Sequence, residues 1–154
     1  MVYIRVKKIS HQSYAYLVEN ISTARGPRQK VLKYLGKVYA YSKISDQEPP
    51  LASTAKLEFL RELIARNLQN HGFIKKNNCL QREEIAFSLK DLQLKTGVVA
   101  LNDGFLCNHT LQQLTAFKIS KNLQKDGYVL AKNFLQAGLP LSREEFVNYY
   151  HLLK

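Results

Sequence analysis

The sequence predicts an α+β fold, in which a small antiparallel three-stranded β module precedes a mixed body of short strands and C-terminal helices. Three observations predict it: apolar and polar residues alternate near the N-terminus, apolar residues recur at helical spacing after residue 55, and a segment containing Pro49-Pro50 separates the two regions. The predicted boundaries are 1–41 for the basic β module, 42–54 for a linker and 55–154 for the α+β body. A chain of 154 residues fits one compact domain with a small attached module.

The β module is predicted from three strands and two turns. Aliphatic residues alternate with polar ones over residues 2–7, which is typical of a strand with one apolar face. A polar turn at 10–13 and a run of strand-forming residues at 14–18 predict a hairpin. A second turn at 22–27 leads to a third strand at 28–38. Two pairs of adjacent apolar residues in that strand predict a bulge or a helical turn.

The body is predicted to begin with a helix that ends near Gly72, followed by two or three short strands before residue 105. A second helix starts near Asn108 or Thr110, and a third follows Ser120 and ends at Gly138. Ser142 and the glutamate three residues later form a capping-box pattern that opens a last helix. The residues predicted for the apolar helix faces are Leu57, Phe59, Leu60, Leu63, Ile64, Leu68, Leu111, Leu114, Phe117, Leu123, Leu130, Phe134, Leu135, Phe146, Tyr149, Tyr150 and Leu153.

Positive charge is concentrated in the β module. The whole chain has a formal net charge of +11. Residues 1–45 hold nine basic side chains and one acidic side chain, Glu19, whereas residues 46–154 hold 14 basic and 11 acidic side chains. Six of the nine tyrosines also lie in the first 45 residues. This combination favours a polyanionic partner, because lysine and arginine neutralise phosphates while tyrosine stacks on bases.

Strand alternation predicts that Tyr3, Arg5 and Lys7 share one face, and that Tyr14 and Tyr16 share one face of the next strand. The segment 25–30 places three cations around a glycine-containing turn, which suits close approach to phosphate. The alternative interpretation is that these tyrosines pack in a thin core and the cations are solvated. The predicted nucleic-acid-binding residues are Tyr3, Arg5, Lys7, Tyr16, Arg25, Arg28, Lys30, Lys33 and Lys37.

We expect a non-enzymatic protein that contacts the phosphate backbone, and we prefer DNA over RNA as the partner. A three-stranded sheet can lie in the major groove of a duplex, whereas tyrosines that stack on unpaired bases would favour RNA or single strands. If the module neutralises about five phosphates, the logarithm of duplex affinity falls against the logarithm of salt with a slope of about −4 to −5.

Three stretches of the β module resemble the N-terminal segment of insertion-sequence transposases. They are Val2 to Lys8, Tyr14 to Glu19 with its Tyr-Ala-Tyr-Leu-Val-Glu pattern, and Arg28 to Gly36 with Arg-Gln-Lys-Val-Leu-Lys-Tyr-Leu-Gly. The similarity covers about residues 2–38 and implies a DNA-contacting β module. It implies no transposase activity, because the 116 residues after Val38 are far fewer than the catalytic body of that family.

Two other functions remain open from the sequence. One is an RNA-binding structural or regulatory component of a ribonucleoprotein such as the ribosome. The other is a metal-dependent nuclease, since converging carboxylates could hold Mg²⁺ for phosphodiester hydrolysis, although their spacing does not require it. The carboxylates considered for such a site are Glu83, Glu84, Asp91, Asp103 and Asp126.

No cofactor or metal site is predicted. Cys79 and Cys107 are the only cysteines, and with His71 and His109 they match no common zinc spacing, so a buried cysteine is the preferred interpretation. Unpaired cysteines favour a reducing compartment, and the charged N-terminus and lack of a long apolar run predict a cytoplasmic protein with no membrane partner. The aromatic residues of the C-terminal helix are expected to pack on the body, the alternative being a docking stripe for a protein partner.

Overall fold

A computed structural model of the chain describes residues 2–154 and has the predicted α+β class. The strands are β1 (Val2–Ile9), β2 (Gln12–Thr23), β3 (Gly26–Ala40), β4 (Ile74–Lys76), β5 (Cys79–Arg82), β6 (Ile85–Ser88), β7 (Gln93–Leu94), β8 (Val98–Leu101) and β9 (Gly104–Leu106). The helices are α1 (Lys56–Asn70), α2 (Asn108–Thr115), α3 (Leu123–Gln136) and α4 (Arg143–Leu152). One sheet has the order β1-β2-β3-β8-β9 and a second has the order β4-β5-β6-β7.

The N-terminal strands β1, β2 and β3 form the predicted antiparallel arrangement. The loop between β1 and β2 consists of Ser10 and His11, whose φ angles of 49° and 68° lie in the left-handed region. A two-residue loop with two such angles is a type I′ turn, which matches the twist of the paired strands. The predicted irregularity in the third strand is also confirmed. Leu35 and Leu32 are each extra residues of β3 relative to β2, so the pairing contains two bulges.

The first sheet continues from the β module into the body. Residues Val38–Ala40 of β3 pair in parallel with Val98–Ala100 of β8, and β9 pairs antiparallel with β8. A small apolar cluster fills the side of the sheet that faces the body, and its members are Ala15, Val98, Cys107, Ile4, Leu35, Val38 and Phe105. The β module and the body therefore share one sheet and one patch of core.

The segment predicted as a linker, residues 42–54, contains no helix or strand. It is nevertheless held against the end of α1 by the side chain of Asn70. The Asn70 Oδ1 atom accepts hydrogen bonds from Ser45 Oγ at 2.8 Å and from the Gln47 backbone N–H at 3.0 Å. Asn70 also donates to the Gln47 carbonyl at 2.9 Å. These bonds fix the path of the chain between the two regions.

The body has more strands than predicted. Six short strands lie between residues 73 and 106, where the sequence predicted two or three. The prediction was wrong because each strand is only two to four residues long, which is too short to display an alternating pattern. Turns with left-handed residues separate several of them, including Asn77, Glu83 and Asn102 with φ of 56°, 53° and 49°.

The main core lies between α1, the second sheet and the C-terminal helices. Tyr149 of α4 is fully buried, with its ring centroid 5.1 Å from that of Phe59 and 5.1 Å from that of Phe134. Leu57, Leu123 and Leu135 were assigned to apolar helix faces, but all three are exposed. Leu57 and Leu123 lie in the first turns of their helices, and Leu135 is five positions after the buried Leu130, a rotation of about 140° around the helix.

Two specific contacts fix the C-terminal helices. The Arg66 guanidinium donates to both carboxylate oxygens of Glu145, at 2.7 and 3.2 Å, and the same carboxylate accepts from the Ser142 backbone N–H in the predicted capping box. Gly138 ends α3 with a φ of 71°, and a Cβ there would overlap the carbonyl oxygen of Leu101. The α3 end therefore lies directly on β8.

Candidate nucleic-acid interface

One face of the β module carries tyrosines and cations together. Directly opposed residues of antiparallel strands project on the same side of a sheet. Arg5 lies opposite Tyr16, Lys7 lies opposite Tyr14, and across the next ladder Tyr16 lies opposite Tyr34 and Tyr14 opposite Lys37. We call this side the front face, and its members include Tyr3, Arg5, Lys7, Ile9, Tyr14, Tyr16, Asn20, Gln29, Tyr34 and Lys37. The predicted sharing of one face by Tyr3, Arg5 and Lys7, and of one by Tyr14 and Tyr16, is confirmed.

Three front-face tyrosines form a cluster, which we call the tyrosine cluster: Tyr14, Tyr16 and Tyr34. The ring centroids of Tyr16 and Tyr34 are 5.3 Å apart, and those of Tyr14 and Tyr34 are 6.4 Å apart. The rings are tilted against each other by 49° and 42°. Together with Ile9 they line a shallow depression that is open to solvent, and Tyr34 is 53% exposed. The cluster lies outside both apolar cores.

Front-face cations lie close to aromatic rings. The Lys7 ammonium is 5.5 Å from the centroid of the Tyr16 ring, and the Lys37 ammonium is 5.1 Å from that of Tyr39. Both distances are within the range of cation–π attraction. Tyr16 belongs to the tyrosine cluster and Lys37 lies opposite Tyr14 of that cluster, so both positive charges lie beside it.

A polar network holds the other end of the front face. The Arg5 guanidinium donates to the Gln29 side-chain oxygen, and the Gln29 amide donates to the Tyr3 hydroxyl. Tyr3 in turn donates to the Asn20 side-chain oxygen at 3.2 Å. Three strands are thereby connected, and only one of the five Arg5 donor positions is used by Gln29. Arg5 retains donors that can bind a phosphate.

The front-face cations have no carboxylate partners. Within residues 2–154 the salt bridges join Lys43 to Asp46, Arg61 to Glu58, and Arg66 to Glu145. None of these involves a predicted binding residue. Beside Lys37, the Tyr39 hydroxyl donates a hydrogen bond to the Glu84 carboxylate at 3.2 Å. Burial, and to a smaller extent that hydrogen bond, raises the pKa of Tyr39.

The nine predicted binding residues do not form one surface. Tyr3, Arg5, Lys7, Tyr16 and Lys37 lie on the front face. The other side of the sheet carries Lys33, Lys30 and Arg28, which pair with Leu17, Glu19 and Ile21, respectively. Arg25 lies in the turn between β2 and β3.

The bulges explain this division. In a regular strand Lys33 and Lys37 would share a face, because they are four residues apart. The extra residue Leu35 reverses the side on which Lys33 lies. On that side of the sheet, partial burial and the charge of Lys33 lower the pKa of His109.

The predicted binding set omitted Tyr14, Tyr34, Asn20 and Gln29, which the fold brings to the front face. Tyr14 could have been included, since it shares the Tyr-x-Tyr alternation with Tyr16. The side of the sheet on which Tyr34 lies depends on the bulges, so the local spacing of residues does not predict it.

Two of the carboxylates and one of the cysteines considered in the body, Asp126, Asp91 and Cys107, have structural contacts. Asp126 accepts from the Ser120 backbone N–H at 2.8 Å and from the Ser120 hydroxyl at 2.7 Å, and Asp91 accepts from Ser88. Cys107 is buried at the start of α2, where its backbone N–H donates to Thr110. In the part of the chain that the structure describes, no three His, Cys, Asp or Glu side chains are grouped closely enough to hold a metal ion.

The C-terminal helix uses its aromatic residues for packing. Tyr149 is fully buried, and Phe146 and Tyr150 are half-buried against the main core. This is the arrangement expected from the sequence. Over residues 2–154, no helix combines the length and apolarity needed to cross a membrane.

Comparisons of the chain with protein-family models, curated proteins and solved structures found no match.

Proposed function

We propose that the chain is a non-enzymatic nucleic-acid-binding protein of the cytoplasm, that its front face contacts the phosphate backbone, and that DNA is the expected polymer. The observation that carries this proposal is the set of three front-face cations, Arg5, Lys7 and Lys37, which have no carboxylate partner in the described chain. Unpaired cations on a sheet release condensed counterions when they meet phosphates, which is the main source of sequence-independent affinity.

The position of the front face supports the same assignment. The opposite side of the sheet packs on the body through Ala15, Val98 and Cys107, whereas the front face belongs to neither core. Val18 is the one fully buried front-side residue of β2, opposite Tyr3 and Val31. The front face is thus a supported surface whose polar side chains remain accessible.

Electrophoretic mobility and fluorescence anisotropy test the proposal. We expect binding to a labelled DNA duplex that weakens steeply as salt increases, and loss of most of that binding in the variant R5Q/K7Q/K37Q. Binding that is independent of salt, or absent at low salt with every nucleic acid offered, would contradict the proposal. Circular dichroism of the variant establishes that the sheet is intact.

A further inference from the structure

We propose that the tyrosine cluster is a stacking platform for unpaired nucleobases, so that the preferred ligand is a single-stranded or locally unpaired stretch of nucleic acid. This inference rests on the proposed function and specifies which form of nucleic acid the front face binds. Three properties of Tyr14, Tyr16 and Tyr34 carry it.

The first property is where the rings lie. Large aromatic side chains usually contribute to cores, as Phe59 and Tyr149 do in this chain. The three rings belong to neither apolar core, and Tyr34 is 53% exposed. Their burial therefore does not account for their grouping on one side of the sheet.

The second property is the mutual geometry of the rings. Tilts of 42° and 49° mean that no ring covers the face of its neighbour completely. The rings and Ile9 surround an open depression of about 300 Å³. A flat base can contact a ring face there while its edges remain in solvent, and such stacking tolerates any base.

The third property is the charge around the cluster. Lys7 lies 5.5 Å from the Tyr16 ring centroid, and Lys37 lies opposite Tyr14 in the β2–β3 ladder. A strand whose bases contact the rings would place its phosphates near these two ammonium groups. Cations beside stacking aromatics are the combination by which single strands are bound. In a duplex the base faces are covered by neighbouring bases, so the rings could reach only the groove edges or the backbone.

The test compares three labelled ligands of the same sequence: single-stranded DNA, single-stranded RNA and duplex DNA. We expect both single strands to bind more tightly than the duplex, and Y34A to lose about 5-fold to 150-fold of single-strand affinity, the range for one stacked base. Y34F should remain close to wild type, because it keeps the ring, whereas Y34L should resemble Y34A. The tighter of the two single strands identifies the polymer.

Tyr128 of α3 offers a matched control, since it is 70% exposed and lies outside the β module. Y128A should bind all three ligands as the wild type does. The chain contains no tryptophan, so quenching of tyrosine fluorescence by an unlabelled single strand gives a second readout, which Y34A should reduce.

Failure of the inference is distinguishable from failure of the proposed function. In one outcome the duplex binds as tightly as the single strands, Y34A binds as the wild type does, and R5Q/K7Q/K37Q still loses binding. That outcome refutes base stacking and supports contact with the phosphate backbone. If Y34A weakens duplex and single strands equally, the preference for unpaired bases is refuted. If no ligand binds, both proposals are overturned.

Discussion

Neutralising the front face should change the salt dependence of binding far more than neutralising the other side of the same sheet. The front-face variant R5Q/K7Q/K37Q removes three positive charges from residues that surround the tyrosine cluster. The variant R28Q/K30Q/K33Q removes the same charge from exposed residues on the opposite side. The two variants have equal net charge, so any difference in the salt dependence of their binding is due to the position of the charges.

The expected magnitude follows from the number of phosphate contacts. Each neutralised phosphate contributes about −0.9 to the slope of log affinity against log salt for duplex DNA, so three contacts contribute about −2.7. Raising the salt from about 50 mM to about 200 mM should then weaken the wild type roughly 40-fold more than the front-face variant. The opposite-side variant should keep a slope close to that of the wild type.

Fluorescence anisotropy titrations at four or five salt concentrations measure the slopes. Thermal unfolding of each variant is the control for folding, because Lys7 and Lys37 are half-buried. If both triple variants lose the same slope, overall charge governs the affinity and the front face has no special role. If only R28Q/K30Q/K33Q loses slope, the opposite side of the hairpin is the contact surface and the assignment of the front face is refuted.

Three further predictions concern stability. R66Q should destabilise the fold by about 3 kcal/mol near neutral pH, because it leaves the Glu145 carboxylate partly buried without its partner. Arg66 lowers the pKa of Glu145, so this loss of stability should persist above pH 4.5 and shrink as the pH falls through the lowered pKa. Denaturant titrations that give a loss of stability independent of pH would contradict this prediction. G138A should cost more than about 2 kcal/mol, since the φ of 71° and the Leu101 carbonyl both oppose a Cβ, and an unchanged melting temperature would refute this. Y149F should leave stability equal or raise it by about 1 kcal/mol, because the buried Tyr149 hydroxyl has no hydrogen-bond partner within residues 2–154, and a clear decrease in the unfolding midpoint would show that it has one.

Local patterns were sufficient to predict the β module and the helices of the body. Alternation over residues 2–7 placed Tyr3, Arg5 and Lys7 on one side of β1, and the structure has them there. The stripe of α1 and the capping box of α4 were also correct, apart from exposed residues near helix ends. These features depend on neighbours two to four positions away, which a sequence displays directly.

The sequence did not allow the pairing of distant strands to be predicted. The parallel ladder of Val38–Ala40 with β8 joins residues about 60 positions apart, and no local signal specifies it. The bulge at Leu35 has the largest effect on the candidate site, because one extra residue moves Lys33 away from Lys37. The predicted binding set therefore named β1 residues that share one side of the sheet, but it did not separate the β3 residues into two sides.

The uninterrupted course of β3 has a mechanical consequence. This single strand runs for 15 residues, pairs with β2 over most of its length, and ends within the sheet that carries β8. A hydrogen-bonded ladder transmits bending and twisting, whereas an unstructured tether would absorb them. If the front face binds a polymer as proposed, that polymer would keep a fixed orientation relative to the body. A force applied to the β2–β3 hairpin would be transmitted to the body through the pairing of Val38 with Val98.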